Sequence, residues 1–209
     1  MTATQGILLG LLIGILGTAA FAAYRVQSLA AVDFTLTAPP VPPEVVRAVR
    51  SAEHGYYASQ GPLRRAAEGV QDMAAILHPP LVYALDFSVG PFHLKGRTLD
   101  ETIPWAIEQG YLQVHDAPAR DFHWLYVYLA EQPGLADWGA AVHLEWLRQK
   151  HPGLRALTWD EIAADPRLVA KVYSGYVGAG GDWEAWEADL TPGPVAAARL
   201  GLTAATDTP

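Results

Sequence analysis

The sequence contains no cysteine among its 209 residues, which excludes disulfide bridges and thiolate metal sites. Positive charge is also scarce, because 14 lysine and arginine residues stand against 22 aspartate and glutamate residues, and the net charge is -8. Nucleic acid is bound by basic surfaces, so this balance argues against a nucleic-acid partner. Histidines and carboxylates nowhere have the spacing of a metal site, and we expect neither a metal nor another cofactor.

The glycine-rich stretch near the C-terminus lacks the features of a nucleotide site. Four glycines, at positions 175, 178, 180 and 181, lie between aromatic residues in AKVYSGYVGAGGDWEAW. The stretch has neither the lysine of a phosphate-binding loop nor a strand before it. We therefore predict a loop between aromatic residues and no nucleotide partner.

Charge is absent from residues 6–24, which read GILLGLLIGILGTAAFAAY. This run is near the lower length limit for a helix that spans a bilayer. The five residues before it lack the lysine or arginine of a signal peptide, although small residues at 20–23 would permit cleavage. We predict a transmembrane anchor within residues 1–25, with a cleaved signal segment as the alternative. The globular domain would lie on the extracytoplasmic side of the cell membrane, with a cytoplasmic orientation as the alternative.

Prolines mark the segment after the anchor. Residues 26–43 end in TAPPVPP, whose four prolines favour a stiff, extended chain. We predict a linker over 26–43 that holds the domain away from the membrane, with Pro43 as the first residue of a helix. At the other end of the chain, the polar residues 202–209 are predicted to be disordered.

Residues 44–201 have many helix signals and few strand signals, so we predict one compact, mainly α domain. The predicted connecting loop is Tyr111–Arg120. Thr98 with Glu101, and Thr158 with Glu161, have the spacing of capping boxes. The helices predicted after the first are Leu63–Leu77, a helix from Thr98 with a break at Pro104, Phe122–Ala130, Ala136–Lys150, Trp159–Tyr176 and a helix after Pro194.

Two of these helices carry apolar stripes that we expect to face the core. Beside the stripe of Ala136–Lys150 lies His143, which we interpret as a core or surface histidine and not as a ligand. In Leu63–Leu77, Glu68 lies off the stripe and is expected to be solvated. The two stripes are Ala140, Ala141, Leu144 and Leu147, and Leu63, Ala66, Ala67, Val70, Met73, Ala74 and Leu77.

The first helix carries a carboxylate on its apolar face. Val45, Val46 and Val49 recur at helical spacing, and Glu53 follows Val49 by four residues, so all four share one face. Gly55 is predicted to end the helix, which would put Glu53 in the last turn. Burial and the negative end of the helix dipole would then both raise the pKa of Glu53, as a general acid requires. The alternative is a glutamate that pairs with a basic residue or faces solvent.

Three motifs, taken in order over roughly residues 44–190, resemble the lysozyme-like superfamily, especially the bacterial lytic transglycosylases. These enzymes have a catalytic glutamate at the end of a helix, here AVRSAEHG with Glu53. A Gly-x-x-Gln turn follows, here SVGPFHL, in which His93 takes the place of the glutamine. A later helix carries a Tyr-Asn-x-Gly motif, here VYSGYVG, with Tyr173 and with Ser174 in place of the asparagine. The resemblance implies a compact lysozyme-like helical domain behind the N-terminal transmembrane anchor.

The resemblance also implies a reaction. Glu53 would protonate the glycosidic oxygen between N-acetylmuramic acid and N-acetylglucosamine in a peptidoglycan glycan strand. A hydrolase would add a second carboxylate, for which Asp86 is the candidate, whereas a lytic transglycosylase, which we slightly favour, uses the muramic 6-hydroxyl. Glu68 is the second choice for the catalytic acid. The implied substrate-binding residues are Ser88, Gly90, His93, Tyr173, Ser174 and Trp183, and Tyr56 is a further candidate for stacking on a sugar.

Two other functions stay open. AEHGYYASQG is similar to the Glu-Asp-x-x-Phe-x-x-x-Gly stretch of the membrane-anchored peptidoglycan glycosyltransferases, with His54 in place of the aspartate. Those enzymes polymerise the glycan, but basic residues that would bind a pyrophosphate are few in this acidic chain. Replacement of the family's glutamine and asparagine favours the third interpretation, a non-catalytic lysozyme-like module that binds glycan or another protein.

Overall fold

The structure, a computed structural model, describes residues 33–77, 88–115, 134–178 and 182–202, together with the single positions 14, 17 and 85. This part of the chain is mainly α, as predicted. Its nine helices are α1 (Pro43–Ser59), α2 (Pro62–Leu77), α3 (Gly96–Glu108), α4 (Leu135–Lys150), α5 (Pro152–Arg155), α6 (Trp159–Ala164), α7 (Pro166–Tyr176), α8 (Trp183–Glu187) and α9 (Pro194–Arg199). Its strands are β1 (Phe34–Leu36), β2 (Ser88–Val89), β3 (Leu94–Lys95) and β4 (Leu112–Val114).

Several predicted features lie outside the described residues. They are the membrane segment 6–24 apart from positions 14 and 17, the candidate carboxylate Asp86, the helix Phe122–Ala130 and the tail after Leu202. Among the residues that are described, no helix combines the length and the apolar character needed to cross a membrane.

Helix α4 is the centre of the core and packs against α1, α3 and α7. The four residues predicted as its inward stripe are confirmed as buried. Neighbouring helices contribute Val49 from α1, Ile103 from α3 and Val172 from α7, which are also buried. Removal of this apolar surface from water is the main force that holds α1 and α7 on opposite sides of the site described below.

Residues 33–43 belong to the domain, which corrects the described part of the predicted linker. Strand β1 pairs antiparallel with β4, with Thr35 opposite Gln113. The indole N–H of Trp138 donates to the carbonyl oxygen of Thr37 at 2.9 Å. Strand β4 lies within the predicted loop Tyr111–Arg120. The sequence does not indicate either strand, because three residues are too few to show the alternating period of a strand.

Helix α1 begins at Pro43 as predicted but extends beyond the predicted end. Gly55 lies inside the helix, which ends at Ser59 ahead of Gly61, a glycine with a φ of 85°. Glycine adopts helical angles as well as left-handed ones, so its presence alone does not end a helix. Glu53 is therefore an interior residue of α1, and the C-terminal end of the helix dipole does not explain its pKa.

Helix α2 has nearly the predicted bounds, but the N-terminal part of its predicted inward stripe is exposed. Leu63 and Val70 of its apolar stripe are 87% and 68% exposed. The side chain of Glu68, expected in solvent, is only 16% exposed. It lines a cavity of about 670 Å³ between α1, α2 and the β2–β3 turn. Periodicity predicts that a helix has two faces, whereas tertiary contacts decide which face is covered.

The predicted cap and break in α3 are both wrong. The helix starts at Gly96, so Thr98 lies inside it, and it continues through Pro104 to Glu108. Leu99 and Ile103 are buried on this helix. Their packing stabilises the helix across the proline, which removes one backbone hydrogen bond.

The C-terminal helices follow the local signals closely. The capping box of α6 is confirmed, because the Glu161 amide donates to the Thr158 hydroxyl oxygen at 3.2 Å and the Thr158 amide donates to the Glu161 carboxylate at 2.7 Å. The single predicted helix Trp159–Tyr176 is divided at Asp165, whose carboxylate caps α7 ahead of a proline. The helix after Pro194 is confirmed as α9.

Candidate active site

A cleft of about 620 Å³ brings together residues that are far apart in the sequence. Four of the residues predicted for the site line it, namely Glu53 from α1, Ser88 from β2, His93 from the β2–β3 turn and Trp183 from α8. Helices α4, α7 and α9 supply much of the remaining wall. The packing of these helices on the common core therefore assembles the cleft.

Glu53 is 3% exposed and sits at the base of an ion-paired cluster. Its Oε1 accepts a hydrogen bond from the hydroxyl of Tyr173 on α7. The same atom accepts a hydrogen bond of 2.8 Å from Nη1 of Arg199, the last residue of α9. Arg199 Nη1 also lies 3.4 Å from the Tyr173 hydroxyl. The pairing of Glu53 with a basic residue, which the sequence leaves open, is thus present together with the cleft position.

Burial raises the pKa of Glu53 above its ordinary value of 4.5. The hydrogen bond from Tyr173 and the positive charge of Arg199 both act in the opposite direction, but they do not cancel the effect of burial. Loss of water disfavours the charged carboxylate, and a nearby cation favours it. The result is a glutamate that keeps its proton to a higher pH than an exposed one.

Arg199 is the functional residue that the sequence did not indicate. Its guanidinium carbon lies 3.6 Å from the centre of the Tyr56 ring. This contact covers a face of Tyr56, which was a candidate for stacking on a sugar. Glu53 and Arg199 are 146 positions apart, and no local pattern connects a helix-terminal arginine to a distant glutamate.

The stretch SVGPFHL forms a β-hairpin that is one wall of the cleft. Ser88 pairs with Lys95, and the turn between the strands contains Gly90, with a φ of 70°, and His93, with a φ of 50°. The His93 ring stacks on Tyr57 with 3.4 Å between ring centres and 17° between ring planes. Burial, followed by the charge of Arg199, lowers the pKa of His93 to about 4, so its ring is neutral at neutral pH.

An aromatic wall faces the hairpin across the cleft. The rings of Trp146 and Trp183 meet edge to face, 5.9 Å apart, and the Lys150 ammonium lies 3.8 Å from the centre of the Trp183 ring. His143 stacks beside Trp146 at 5.5 Å. Burial lowers the pKa of His143 to about 3, and its Nδ1 has no hydrogen-bond partner among the described residues. The wall therefore offers apolar ring surface and a neutral histidine to a ligand.

Three predicted site residues have other roles. Tyr173 is fully buried behind Glu53, so it orients the carboxyl and does not reach a ligand. Ser174, one residue further on α7, points elsewhere because successive helical residues face different directions. Its hydroxyl donates to the Lys171 carbonyl oxygen, and it lines a separate cavity of about 350 Å³. Gly90 is buried and shapes the turn, and its carbonyl oxygen accepts a hydrogen bond from the His93 amide.

The glycine of VYSGYVG has a packing role. Gly175 lies inside α7, where a Cβ atom would come within 2.7 Å of Trp186 and 2.8 Å of Leu147. Contacts that short are not tolerated without movement of the neighbouring side chains. Only glycine therefore allows α7 to approach the indole of α8 and the centre of α4 at this distance.

A second carboxylate of the cleft comes from α3. Glu101 lines the cleft, and Asp86 lies outside the described residues. Glu68, the second choice for the catalytic acid, lies in the neighbouring cavity beyond the stacked Tyr57 and His93. In the described ranges of the chain, no three histidine, aspartate or glutamate side chains come together as a metal ion would require.

Comparison of the chain with protein-family models, with curated proteins and with solved structures finds no match. Fold and site define a mainly α domain with one buried, hydrogen-bonded glutamate in an aromatic cleft. The proposals below rest on this geometry and on the three motifs of the sequence.

Proposed function

We propose that this protein cleaves peptidoglycan glycan strands at the bond between N-acetylmuramic acid and N-acetylglucosamine. Glu53 is the general acid of this reaction and afterwards the general base. The observation that carries the proposal is the buried Glu53 carboxyl, with its raised pKa, on the wall of a cleft lined by tryptophans and neutral histidines. The order of the three motifs, which resembles that of lysozyme-like enzymes, supports the same conclusion.

The hydrogen bonds of Glu53 assign a position to its proton. Tyr173 and Arg199 both donate to Oε1, so the protonated side chain carries its hydrogen on Oε2. The Oε2 proton is transferred to the glycosidic oxygen, and the electron pair of the bond to the anomeric carbon leaves with that oxygen. An oxocarbenium-like sugar results. A positioned acid of this kind accelerates such a step by about 10²- to 10⁴-fold.

The second half of the reaction defines the product. In a lytic transglycosylase the muramic 6-hydroxyl attacks the anomeric carbon, and the Glu53 carboxylate removes its proton. This route needs no second carboxylate, and we propose it for this protein. In a hydrolase, water replaces the hydroxyl and Glu101 or Asp86 stabilises or activates the reacting groups.

The rest of the cleft suits a chain of N-acetylated sugars. Trp146 and Trp183 are half-buried rings of the cleft, and the ring surface that Lys150 and His143 leave open suits the apolar faces of sugar rings. Ser88 and the neutral His93 supply hydrogen-bonding groups on the opposite wall. Aromatic surfaces combined with a few convergent polar groups suit a carbohydrate ligand.

The Glu53–Arg199 ion pair favours a second candidate, a non-catalytic module that binds glycan. An arginine at 2.8 Å stabilises the carboxylate form, which cannot donate a proton. In such a module Glu53 would hold α1 and α9 together, and the aromatic cleft would bind glycan without cutting it.

We also propose the cellular arrangement that this substrate requires. The domain has a lysozyme-like fold and lies on the extracytoplasmic side of the cell membrane, anchored through residues 6–24. The charge-free sequence of that segment supports the anchor. Because residues 33–43 pack on the domain, the spacer between bilayer and domain is restricted to residues before 33.

The decisive experiment is a digestion of purified peptidoglycan by the full chain in detergent, with mass spectrometry of the products. Anhydromuropeptides indicate a transglycosylase, and reducing ends indicate a hydrolase. Glu53→Gln is expected to lower product release by at least about 100-fold. Glu68→Gln is the matched control, because it changes a largely buried carboxyl on the adjacent helix outside the cleft. Equal release by the wild type and Glu53→Gln would contradict the catalytic proposal and favour the binding module.

A further inference from the structure

We propose that the cleft selects glycan that carries a free carboxylate close to the cleaved bond, and that Arg199 binds this carboxylate. This inference rests on the proposed function and adds that the glycan must carry a negative charge. The group that Arg199 would bind is a carboxylate. Its two sources in peptidoglycan are the lactyl group of a muramic residue stripped of its peptide, and an acidic residue of an attached peptide.

The hydrogen bonds of Arg199 leave donors without described acceptors. A guanidinium has five N–H donors in a planar fork. Both described hydrogen bonds of Arg199 start from Nη1, and they end on Glu53 and Tyr173. Its Nε is buried and has no partner among the described residues. A ligand in the cleft cannot reach the buried Nε, but no described hydrogen bond uses Nη2, which therefore has capacity for an anion.

A second half-buried arginine in the same domain, Arg148, has all of its nitrogens engaged. Arg148 on α4 donates from Nε and Nη2 to the two carboxylate oxygens of Glu145, at 2.9 and 2.8 Å. Its Nη1 donates to the carbonyl oxygen of Leu157 at 2.7 Å. All three nitrogens of Arg148 therefore have acceptors, as a structural ion pair requires. Arg199 has the same kind of carboxylate partner but only one engaged nitrogen.

Arg199 is also held in position at the cleft. Its side chain is 16% exposed and lines the cleft directly beside Glu53. The Tyr56 ring lies flat beneath the guanidinium carbon at 3.6 Å. A stacked, oriented guanidinium loses little conformational freedom when a carboxylate accepts a charge-assisted hydrogen bond from its Nη2.

Arg199 is the charged group that acts on the pKa of Glu53, and Lys95 from β3 and Glu101 from α3 also line the cleft. From α1 the facing side chain is Tyr57, from α7 Tyr173 and Tyr176, and from the hairpin His93, which is neutral at neutral pH. Arg199 is the cation that acts on Glu53. When a glycan carboxylate shares the charge of Arg199, the arginine lowers the pKa of Glu53 less, so Glu53 keeps its proton to a higher pH. Binding of an anionic strand thereby favours the protonated acid.

The test compares the binding of three glycans by the full chain, with Glu53→Gln present in every protein so that nothing is cut. The glycans are strands stripped of peptide, strands with peptides, and neutral chitin oligosaccharides, which carry no carboxylate. Tighter binding of stripped strands assigns the lactyl carboxylate, and tighter binding of peptide-bearing strands assigns the peptide. We expect the better of these two to bind about 10- to 100-fold more tightly than chitin, as a charge-assisted pair would give.

Variants of Arg199 separate charge recognition from a structural role. Arg199→Gln is expected to bring the ratio of anionic to neutral binding close to one, and Arg199→Lys, which keeps the charge but not the fork, to retain part of it. Arg50→Gln is the matched control, because it removes a surface arginine that pairs with Asp137 at 3.1 Å outside the cleft. Its ratio should equal that of the parent protein.

The outcomes distinguish this inference from the proposed function. An unchanged ratio in Arg199→Gln and Arg199→Lys, or equal binding of all three glycans by the parent protein, would overturn the inference whether or not the wild type cuts peptidoglycan. A wild type that cuts no glycan would overturn the proposed function, and the binding ratio would still decide the role of Arg199.

Discussion

The hydroxyl of Tyr173 donates a hydrogen bond to Oε1 of Glu53 across 120 positions of the chain. Tyr173 is fully buried in α7, so the hydrogen bond fixes the orientation of the carboxyl from behind. Together with Arg199 it occupies one oxygen of Glu53 and distinguishes the two oxygens chemically. This asymmetry is the structural basis of the first prediction.

Substitution of Tyr173 by phenylalanine should move the pH dependence of glycan cleavage. The hydrogen bond from Tyr173 stabilises the charged carboxylate and so lowers the pKa of Glu53. Its loss raises that pKa further, and the alkaline limb of the pH–rate profile moves to higher pH. The free energy of unfolding should fall by about 1 kcal/mol. Rates measured from pH 4 to 9 and a ¹³C titration of Glu53 test the shift.

Tyr111→Phe is the control for Tyr173→Phe. Tyr111 directly precedes strand β4 and does not line the cleft. Its pH profile should coincide with that of the wild type. If Tyr173→Phe also coincides with the wild type, the hydrogen bond does not tune the acid.

The raised pKa of Glu53 predicts a pH-dependent cost in stability. In the folded state Glu53 keeps its proton at pH values where the unfolded chain, with a pKa near 4.5, has lost it. The folded state then binds more protons, so stability falls as pH rises through the interval from about 4.5 to the raised pKa. Glutamine does not titrate, and the wild type should therefore lose stability relative to Glu53→Gln over this interval. Each unit of pKa difference corresponds to about 1.4 kcal/mol.

Denaturant unfolding of both proteins between pH 4 and 8 measures this difference. Glu161→Gln is a control, because the contribution of Glu161 to stability should change with pH in the opposite direction to that of Glu53. Backbone and side-chain hydrogen bonds from Thr158 lower the pKa of Glu161, so its contribution to stability is lost as pH falls. A constant difference between wild type and Glu53→Gln across the range would mean that burial does not raise the pKa of Glu53.

Two glycines inside helices should respond in opposite ways to alanine. A Cβ at Gly175 would meet Trp186 and Leu147 below 3.0 Å, so Gly175→Ala should destabilise the protein by about 1–3 kcal/mol. A Cβ at Gly55 meets nothing within 4 Å, and Gly55→Ala should stabilise α1 by about 0.5–1 kcal/mol.

Thermal unfolding of the two glycine variants gives the sign directly, and each serves as the control for the other. A Gly175→Ala protein as stable as Gly55→Ala would mean that α7 is not packed against α4 and α8 as closely as described.

Several features of the molecule were determined locally by the sequence. The mainly α class, the start of α1 at Pro43, the capping box of α6 and the core stripe of α4 were all predictable. The position of Glu53 on the buried face of α1 follows from its four-residue spacing from Val49. Each depends on residues within one or two turns of each other, and helical periodicity and capping act over that range.

The tertiary structure alone decided what those local features contact. The pairing of β1 with β4, the exposure of Leu63 and Val70 on α2 and the continuation of α1 beyond Gly55 depend on which distant surfaces are available for burial. The partners of Glu53 are the clearest case, because Tyr173 and Arg199 reach its Oε1 from helices more than a hundred positions away. Helical spacing predicted that Glu53 shares the apolar face of α1, and the structure buries it there. Long-range packing of α1, α7 and α9 decided its charge partners and its proton position, because those contacts have no period to detect.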